Sequence, residues 1–277
     1  MSLYITSLNS GSNGNCYYIG NENEAVLIDA GLSCRETEKR MQRLGLNIKK
    51  VKAVFISHEH SDHISGLVTL SKKHKLPVYI TAETHKGARI WVEKELINRF
   101  TADVVVQIGS LHIMPFLKKH DAAHPHSFTV THNEVTVGIF TDIGTVSKKF
   151  ISHFKKCHAA FLESNYDKQM LMNGNYPQVL KKRISDGSGH LSNDEALDLF
   201  LNHRPTFMSH LILSHLSANN NKPELVKELF TPHANGTEII IASRFEETEV
   251  YFIQPQTING KKQKKAVKKS KQQLSLF

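Results

Sequence analysis

Residues 57–63 read Ser57-His58-Glu59-His60-Ser61-Asp62-His63, three histidines and two carboxylates in one short stretch. His58 and His60 are two apart, so in an extended segment their side chains project to the same side and can hold one cation together. Asp62 and His63 are adjacent and project differently, which lets them serve a second cation close by. Imidazole and carboxylate donors suit zinc, iron or manganese. A lone His-x-His would more often be a chance cluster on a solvated loop. Four ligand-type residues within positions 58–63, directly after an apolar run, argue against chance.

That run, Val51 to Ile56, reads as a buried strand, and Ile64 to Leu70 opens a helical pattern. The motif therefore sits at the carboxyl end of a strand, where open α/β sheets bind ligands. Upstream, Tyr4–Leu8 reads as a strand and residues 10–15, ending in Asn15, as a turn-rich loop. Cys16–Ile19 and Ala25–Asp29 read as a hairpin across Asn21-Glu22-Asn23. Asp29 ends its strand, either as the N-cap of a helix starting near Ser33 or as a carboxylate orienting a histidine. Further expectations are helices over 34–44 and 82–98, a helix ending at His74, and strands at 77–80, 104–106, 111–113, 135–140 and 159–162. The alternation supports a layered α/β domain.

The loop resembles the His-x-His-x-Asp-His signature of the metallo-β-lactamase fold, a four-layered αββα sandwich with a mono- or binuclear metal site along one edge. That resemblance implies a third ligand near His120-Asp121-Ala122-Ala123-His124-Pro125-His126, where composition alone does not choose among His120, His124 and His126. One bacterial branch of the family, the YycJ-like (WalJ) DNA 5′–3′ exonucleases, carries His-Asp-Ala-x-x-Pro with the first histidine as ligand, here His120. The branch commonly has an acid where this chain has His124; a tolerated surface histidine is the first reading. Asp142, at a strand end before Ile143 and Gly144, suits a carboxylate bridging two metals. Leu162-Glu163-Ser164-Asn165 matches the branch, although Tyr166 stands where a histidine usually follows. Asn15 and Asn165 are candidates for supporting ligands or substrate, with capping of the next helix an equal alternative for Asn165. Ser192 and Glu195 form a capping box ahead of a helix over 194–201. His190 belongs to a Ser-Gly-His motif that nucleic-acid-cleaving relatives place over the scissile phosphate. His215 follows a strand as the last ligand should, whereas His210 at that strand's start is structural.

The resemblance covers about residues 2–255. It implies His58, His60 and His120 on one divalent ion, Asp62, His63 and His215 on another, and Asp142 between them, with zinc or manganese as the metal. Asp62 would also orient the attacking water and His190 would stabilise the transition state or protonate the leaving oxygen. The fold's larger nuclease relatives insert a cap domain between positions equivalent to 142 and 215. This chain has no room for one, so substrate is expected at an open edge.

Composition bounds the rest. The 277 residues are 40% hydrophobic, enough for a packed core, and no apolar run of about 18 residues predicts a membrane span. The N-terminus has no signal-peptide pattern, and Cys16, Cys34 and Cys157 fit packing residues in a reducing cytoplasm. Net charge is +9, but seven lysines lie within 261–271, and without them the chain is at +2. Residues 1–258 are therefore expected to be the catalytic domain and 259–277 a disordered basic tail. The tail ends in Gln273-Leu274-Ser275-Leu276-Phe277, which resembles the bacterial sliding-clamp-binding motif. The expected protein is a DNA exonuclease of repair or replication, nucleoid-associated when recruited. The alternatives are a thioester or lactam hydrolase of the same fold and a non-catalytic clamp-associated adaptor.

Overall fold

The computed structural model describes residues 2–255. Alternation along the strands decides which layer each side chain enters. Val26 and Ile28 enter one apolar cluster, while Ala25 and Leu27 enter a second. Farther along, Ala159 and Phe161 enter the first cluster, and Ala160 and Leu162 a third.

The strands are β1 (Leu3–Asn9), β2 (Cys16–Gly20), β3 (Ala25–Ile28), β4 (Val51–Phe55), β5 (Val78–Tyr79), β6 (Ile97–Asn98), β7 (Val106–Ile108), β8 (Leu111–Leu117), β9 (His126–His132), β10 (Val135–Phe140), β11 (Ala159–Glu163), β12 (His210–Ser214), β13 (Glu238–Ile241) and β14 (Tyr251–Ile253). They form two seven-stranded sheets, ordered β14-β1-β2-β3-β4-β5-β6 and β13-β12-β11-β10-β9-β8-β7. Strands β3 to β6 run parallel, as do β10 to β13. The helices are α1 (Cys34–Arg43), α2 (Ser61–Ile64), α3 (Leu67–His74), α4 (Ala82–Ala88), α5 (Lys148–Phe154), α6 (Lys168–Asn173), α7 (Gln178–Ser185), α8 (Asn193–His203) and α9 (Pro223–Phe230).

Between the sheets lie Ile5, Tyr17, Phe55, Phe128, Val137, Phe161 and Ile212. The outer face of the first sheet buries Leu27, Val54 and Ile56 with Met41, Leu67 and Leu70 from α1 and α3. The outer face of the second buries Phe140, Leu162 and Leu213 with Phe150, Phe154, Phe200 and Phe230 from α5, α8 and α9. The result is the helix–sheet–sheet–helix sandwich expected from the sequence. The carboxyl ends of the two parallel regions open onto one shared edge.

Several local expectations change. The helix over 82–98 stops at Ala88, where Arg89 turns left-handed (φ 50°). The chain then buries Val92 in the outer layer and adds β6 beside β5. Strand β7 begins at Val106, with Val104 and Val105 exposed, and β9 is a strand the sequence reading did not include. Helix α1 is capped by Ser33, whose side chain accepts from Glu36 N–H, so Asp29 is not its cap. The capping box of Ser192 and Glu195 is present at α8. All three cysteines are free and buried. No described helix is long and apolar enough to cross a membrane. The boundary at 258/259 and the terminal pentapeptide lie outside the described residues.

Candidate metal centre

The loop after β4 carries His58 and His60, the latter in extended backbone, and then turns into α2, which carries Asp62 and His63. Close backbone approach fixes that turn: Asn15 N–H donates to Asp62 O (2.7 Å) and Ala30 N–H to His63 O (2.8 Å). Gly31 makes the approach possible, because a Cβ there would run into the Asp62 carbonyl oxygen. His120 follows β8, Asp142 follows β10 and His215 follows β12. Asp142 and His215 both sit in the left-handed region (φ 56° and 57°), a strained geometry that aims their side chains across the sheet edge.

Two groups of donor atoms result. In the first, His58 Nε2 lies 3.1 Å from His60 Nδ1, which lies 3.4 Å from His120 Nε2. These separations match the edge of a tetrahedron with ligand nitrogens about 2.0–2.1 Å from a central ion, roughly 3.3 Å. In the second, Asp62 Oδ2 lies 3.5 Å from His63 Nε2 and 3.6 Å from His215 Nε2. Asp142 spans both, with Oδ2 3.3 Å from His63 Nε2 and Oδ1 4.0 Å from His120 Nε2.

The outward nitrogens of His58, His63, His120 and His215 are satisfied, which turns their other nitrogens inward. His63 Nδ1 donates to Asp29 Oδ2 (2.7 Å), and His58 Nδ1 donates to Ser57 Oγ (2.9 Å), which itself donates to Asp29. His120 Nδ1 donates to Gly189 O (2.9 Å) and His215 Nδ1 to Glu163 Oε1 (2.9 Å). By contrast, Asp142 Oδ2 and His215 Nε2 are buried without a hydrogen-bond partner. Orphaned polar atoms converging inside a cluster of softer nitrogen and harder oxygen donors fit a divalent metal.

The charges are strongly coupled. Burial lowers His58 well below its usual value and brings His120 down to about 4, so both offer neutral lone pairs. Burial also opposes charge on His63, yet Asp142, Asp29 and Asp62 overcome it and hold His63 at about 10. His215 is likewise raised, with Asp142, Asp62 and Glu163 outweighing burial. The carboxylates respond in kind. Against burial, His63 and His215 pull Asp62 down to about 2, and His215 and His63 hold Asp142 well below the usual range. Without metal, these imidazolium protons neutralise the carboxylates, and a cation would replace them.

Glu163 is the residue that sequence reasoning quoted without giving it a role. It is fully buried at the end of β11. Its carboxylate accepts from Ile143 N–H (2.7 Å), Leu191 N–H (3.0 Å), His190 Nδ1 (2.9 Å) and His215 Nδ1. Burial would raise its pKa, but His190 and His215 bring it to about 2. A carboxylate ending a buried strand was a legible signal; the same logic applied to Asp29.

The remaining candidates are placed as follows. His190 is partly exposed, and its ring centroid lies 5.4 Å from that of His120 and 5.2 Å from that of His215. Asn15 Nδ2 donates to Asp62 Oδ2 (3.1 Å). Asn165 Nδ2 donates to His215 O (2.7 Å), and the next helix, α6, is capped by Asp167 instead. His124 turns away toward Glu83 of α4 (3.4 Å), His126 is buried against Phe100, and His210 packs on Tyr251. A cleft of about 380 Å³ opens over the donors, lined by His60, Asp62, His190 and Ser12 and walled on one side by Tyr176 and Arg183. The edge expected to be open is thus flanked by α7 and the residues before it.

Residues 10–141 match the metallo-beta-lactamase superfamily. The chain is 36% identical over 232 residues to exodeoxyribonuclease YycJ of Bacillus anthracis, covering 82% of this chain and 87% of that protein. It is 29% identical over 223 residues to exodeoxyribonuclease WalJ of Streptococcus pneumoniae, covering 79% of this chain and 83% of that one. Among solved structures, the metallo-beta-lactamase fold protein YhfI from Bacillus subtilis shares the fold, with a TM-score of 0.70 at 18% identity over 91% of this chain and 100% of that chain. Motif, sandwich, donor geometry and relatives agree: the chain belongs to the metallo-β-lactamase superfamily, in the branch that contains the YycJ and WalJ exodeoxyribonucleases.

Proposed function

We propose that this protein is a metal-dependent exodeoxyribonuclease that hydrolyses DNA phosphodiesters from the 5′ end. His58, His60 and His120 would hold one divalent ion, Asp62, His63 and His215 a second, with Asp142 shared and zinc or manganese as the metal. Bound there, such ions activate water at neutral pH and neutralise a phosphate oxygen. The chain's own groups do the rest. Asp62, steadied by the Asn15 amide, orients the attacking water and takes its proton. His190, with Nδ1 engaged by Glu163 and its ring on the cleft, delivers a proton to the leaving oxygen. The observation that carries this reading is that cleft: it sets a carboxylate-backed histidine opposite the paired donor groups, which an inert metal store does not need.

The substrate rests on the exodeoxyribonuclease relatives, matched along most of the chain. A non-catalytic adaptor finds no support beside a complete set of donors. We further place the protein in the cytoplasm, consistent with three free cysteines, and delivered to DNA by a sliding clamp bound to residues 273–277. One assay tests the function: end-labelled double- and single-stranded DNA, RNA and a generic thioester, each with manganese or zinc. DNA shortened from its 5′ end is the expected result. Cleavage of the thioester alone would replace the nuclease reading, and faster loss of RNA would make it a ribonuclease.

A further inference from the structure

Next to the loop of residues 10–15, one aromatic ring is held out into solvent on a backbone fixed by hydrogen bonds. Phe245 is 79% exposed. Its carbonyl accepts from the Arg40 guanidinium (2.8 Å), which is itself buried and bonded to Leu8 O and Asn9 Oδ1. Its N–H donates to Ser243 Oγ (3.0 Å). A single exposed apolar side chain is ordinary by itself; what sets Phe245 apart is the fixed backbone that presents it and the cation beside it.

The neighbouring residue supplies a cation. The Arg244 guanidinium lies 5.9 Å from the Phe245 ring centroid, and its Nη2 lies 3.3 Å from Ser12 Oγ. Ser12 lines the metal cleft, so Arg244 is one side chain removed from the donors. Asn13 Nδ2 donates to Arg244 O (2.7 Å), and Ser10 N–H donates to Ser243 O (3.1 Å), tying this segment to the loop that ends at Asn15. Arg244 Nη1 is buried without a hydrogen-bond partner, and Arg244 has no ion-pair partner among the described residues. Arg183, which lines the cleft itself, differs: it is paired with Asp121 at 2.5 Å.

We infer that Ser12, Arg244 and Phe245 form a subsite that grips a polynucleotide strand next to the metal centre. Phe245 stacks one base, and Arg244 with Ser12 takes the adjoining phosphate. Stacking on an aromatic face tolerates every base, and a guanidinium matches phosphate oxygens. The chemistry is therefore that of sequence-independent strand holding. The inference rests on the nuclease reading and adds where the strand lies.

The test compares the metal-loaded wild type with Phe245→Ala, Phe245→Trp and Arg244→Met on two substrates. One is a short 5′-phosphorylated single-stranded DNA; the other is bis(p-nitrophenyl) phosphate, a diester with no adjoining nucleotide or second phosphate to grip. The expected result is a KM for DNA raised on the order of tenfold in Phe245→Ala and Arg244→Met. It includes an unchanged kcat, restoration by Phe245→Trp and a loss on the small diester, in either variant, much smaller than the loss on DNA. A DNA KM equal to wild type in both variants would overturn the subsite and leave the nuclease reading standing. Equal losses on both substrates, or a lowered Tm, would make these residues scaffold and overturn it too. If wild type turns over no DNA at all, the subsite and the nuclease reading fall together.

Discussion

Asp29 and Glu163 are counterparts on the two sheets. Each is fully buried at the end of a parallel strand, and each accepts the Nδ1 proton of a histidine at the metal centre: Asp29 from His63 at 2.7 Å, Glu163 from His215 at 2.9 Å. Each also accepts from backbone of a neighbouring loop, Asp29 from Ser57 N–H and Glu163 from Ile143 and Leu191 N–H. The two carboxylates therefore register donor-bearing loops against their sheets. They differ in their remaining partner: Asp29 accepts from Ser57 Oγ, whereas Glu163 holds His190.

That difference separates two variants. Glu163→Gln keeps the shape but cannot accept from both histidines while leaving its amide satisfied. It should lower metal affinity and turnover together by about 10–100-fold. His190→Ala removes the proposed proton donor and leaves the Glu163 bond to His215 in place, so turnover should fall by about 10²–10⁴-fold with metal content unchanged. Metal analysis beside kcat distinguishes them. Full turnover in His190→Ala would remove His190 from the chemistry.

Asp62→Ala should abolish hydrolysis while leaving the fold intact. The side chain is one of the second group of donors and, in the proposed mechanism, orients the attacking water; Asp62 is absent from the three apolar clusters that hold the sandwich together. A loss of at least about 10²–10⁴-fold is expected, with circular dichroism and Tm near wild type. An active Asp62→Ala protein would sink the mechanism.

Gly31→Ala tests the backbone instead of a functional group. The new Cβ would strike the Asp62 carbonyl, and backbone cannot swing aside as a side chain can. The variant should lose about 2 kcal/mol or more of stability and bind metal more weakly, because Asp62 and His63 move with their loop. Wild-type Tm and metal affinity would show that the loop yields without cost.

Much of this was legible because the metal centre is written in one short segment. His58, His60, Asp62 and His63 follow a strand whose apolar run is unambiguous, so their placement at its carboxyl end followed directly. His120 was not legible from composition, since His124 and His126 carry the same donor; the His-Asp-Ala-x-x-Pro resemblance singled it out, and its turn toward Gly189 O agrees. Residues 82–98 failed for a different reason. Ile90, Trp91 and Val92 fit a helical face as well as an extended segment, and tertiary burial of Val92 with pairing of Ile97 to Val78 decided for extension. Strand β9 alternates Phe128 and Val130 inward with Ser127, Thr129 and Thr131 between them, a readable pattern overshadowed by the histidines before it.

The last prediction concerns residues 259–277, of which the structure describes none. The segment 261–271 carries seven lysines, and the chain then turns apolar at Leu274, Leu276 and Phe277. If the pentapeptide docks on a sliding clamp, Gln273 would bond at the groove's edge and the three apolar side chains would fill its pocket. The lysine tether would then raise the local concentration of the nuclease at clamp-loaded DNA and touch the backbone in a salt-dependent way. Deleting residues 273–277 should remove binding to purified clamp while sparing metal-dependent cleavage of short free DNA. Neutralising the lysines should weaken DNA association mainly at low salt. If the truncated protein binds the clamp with unchanged affinity, the pentapeptide is not the contact and the partner surface lies on the folded body.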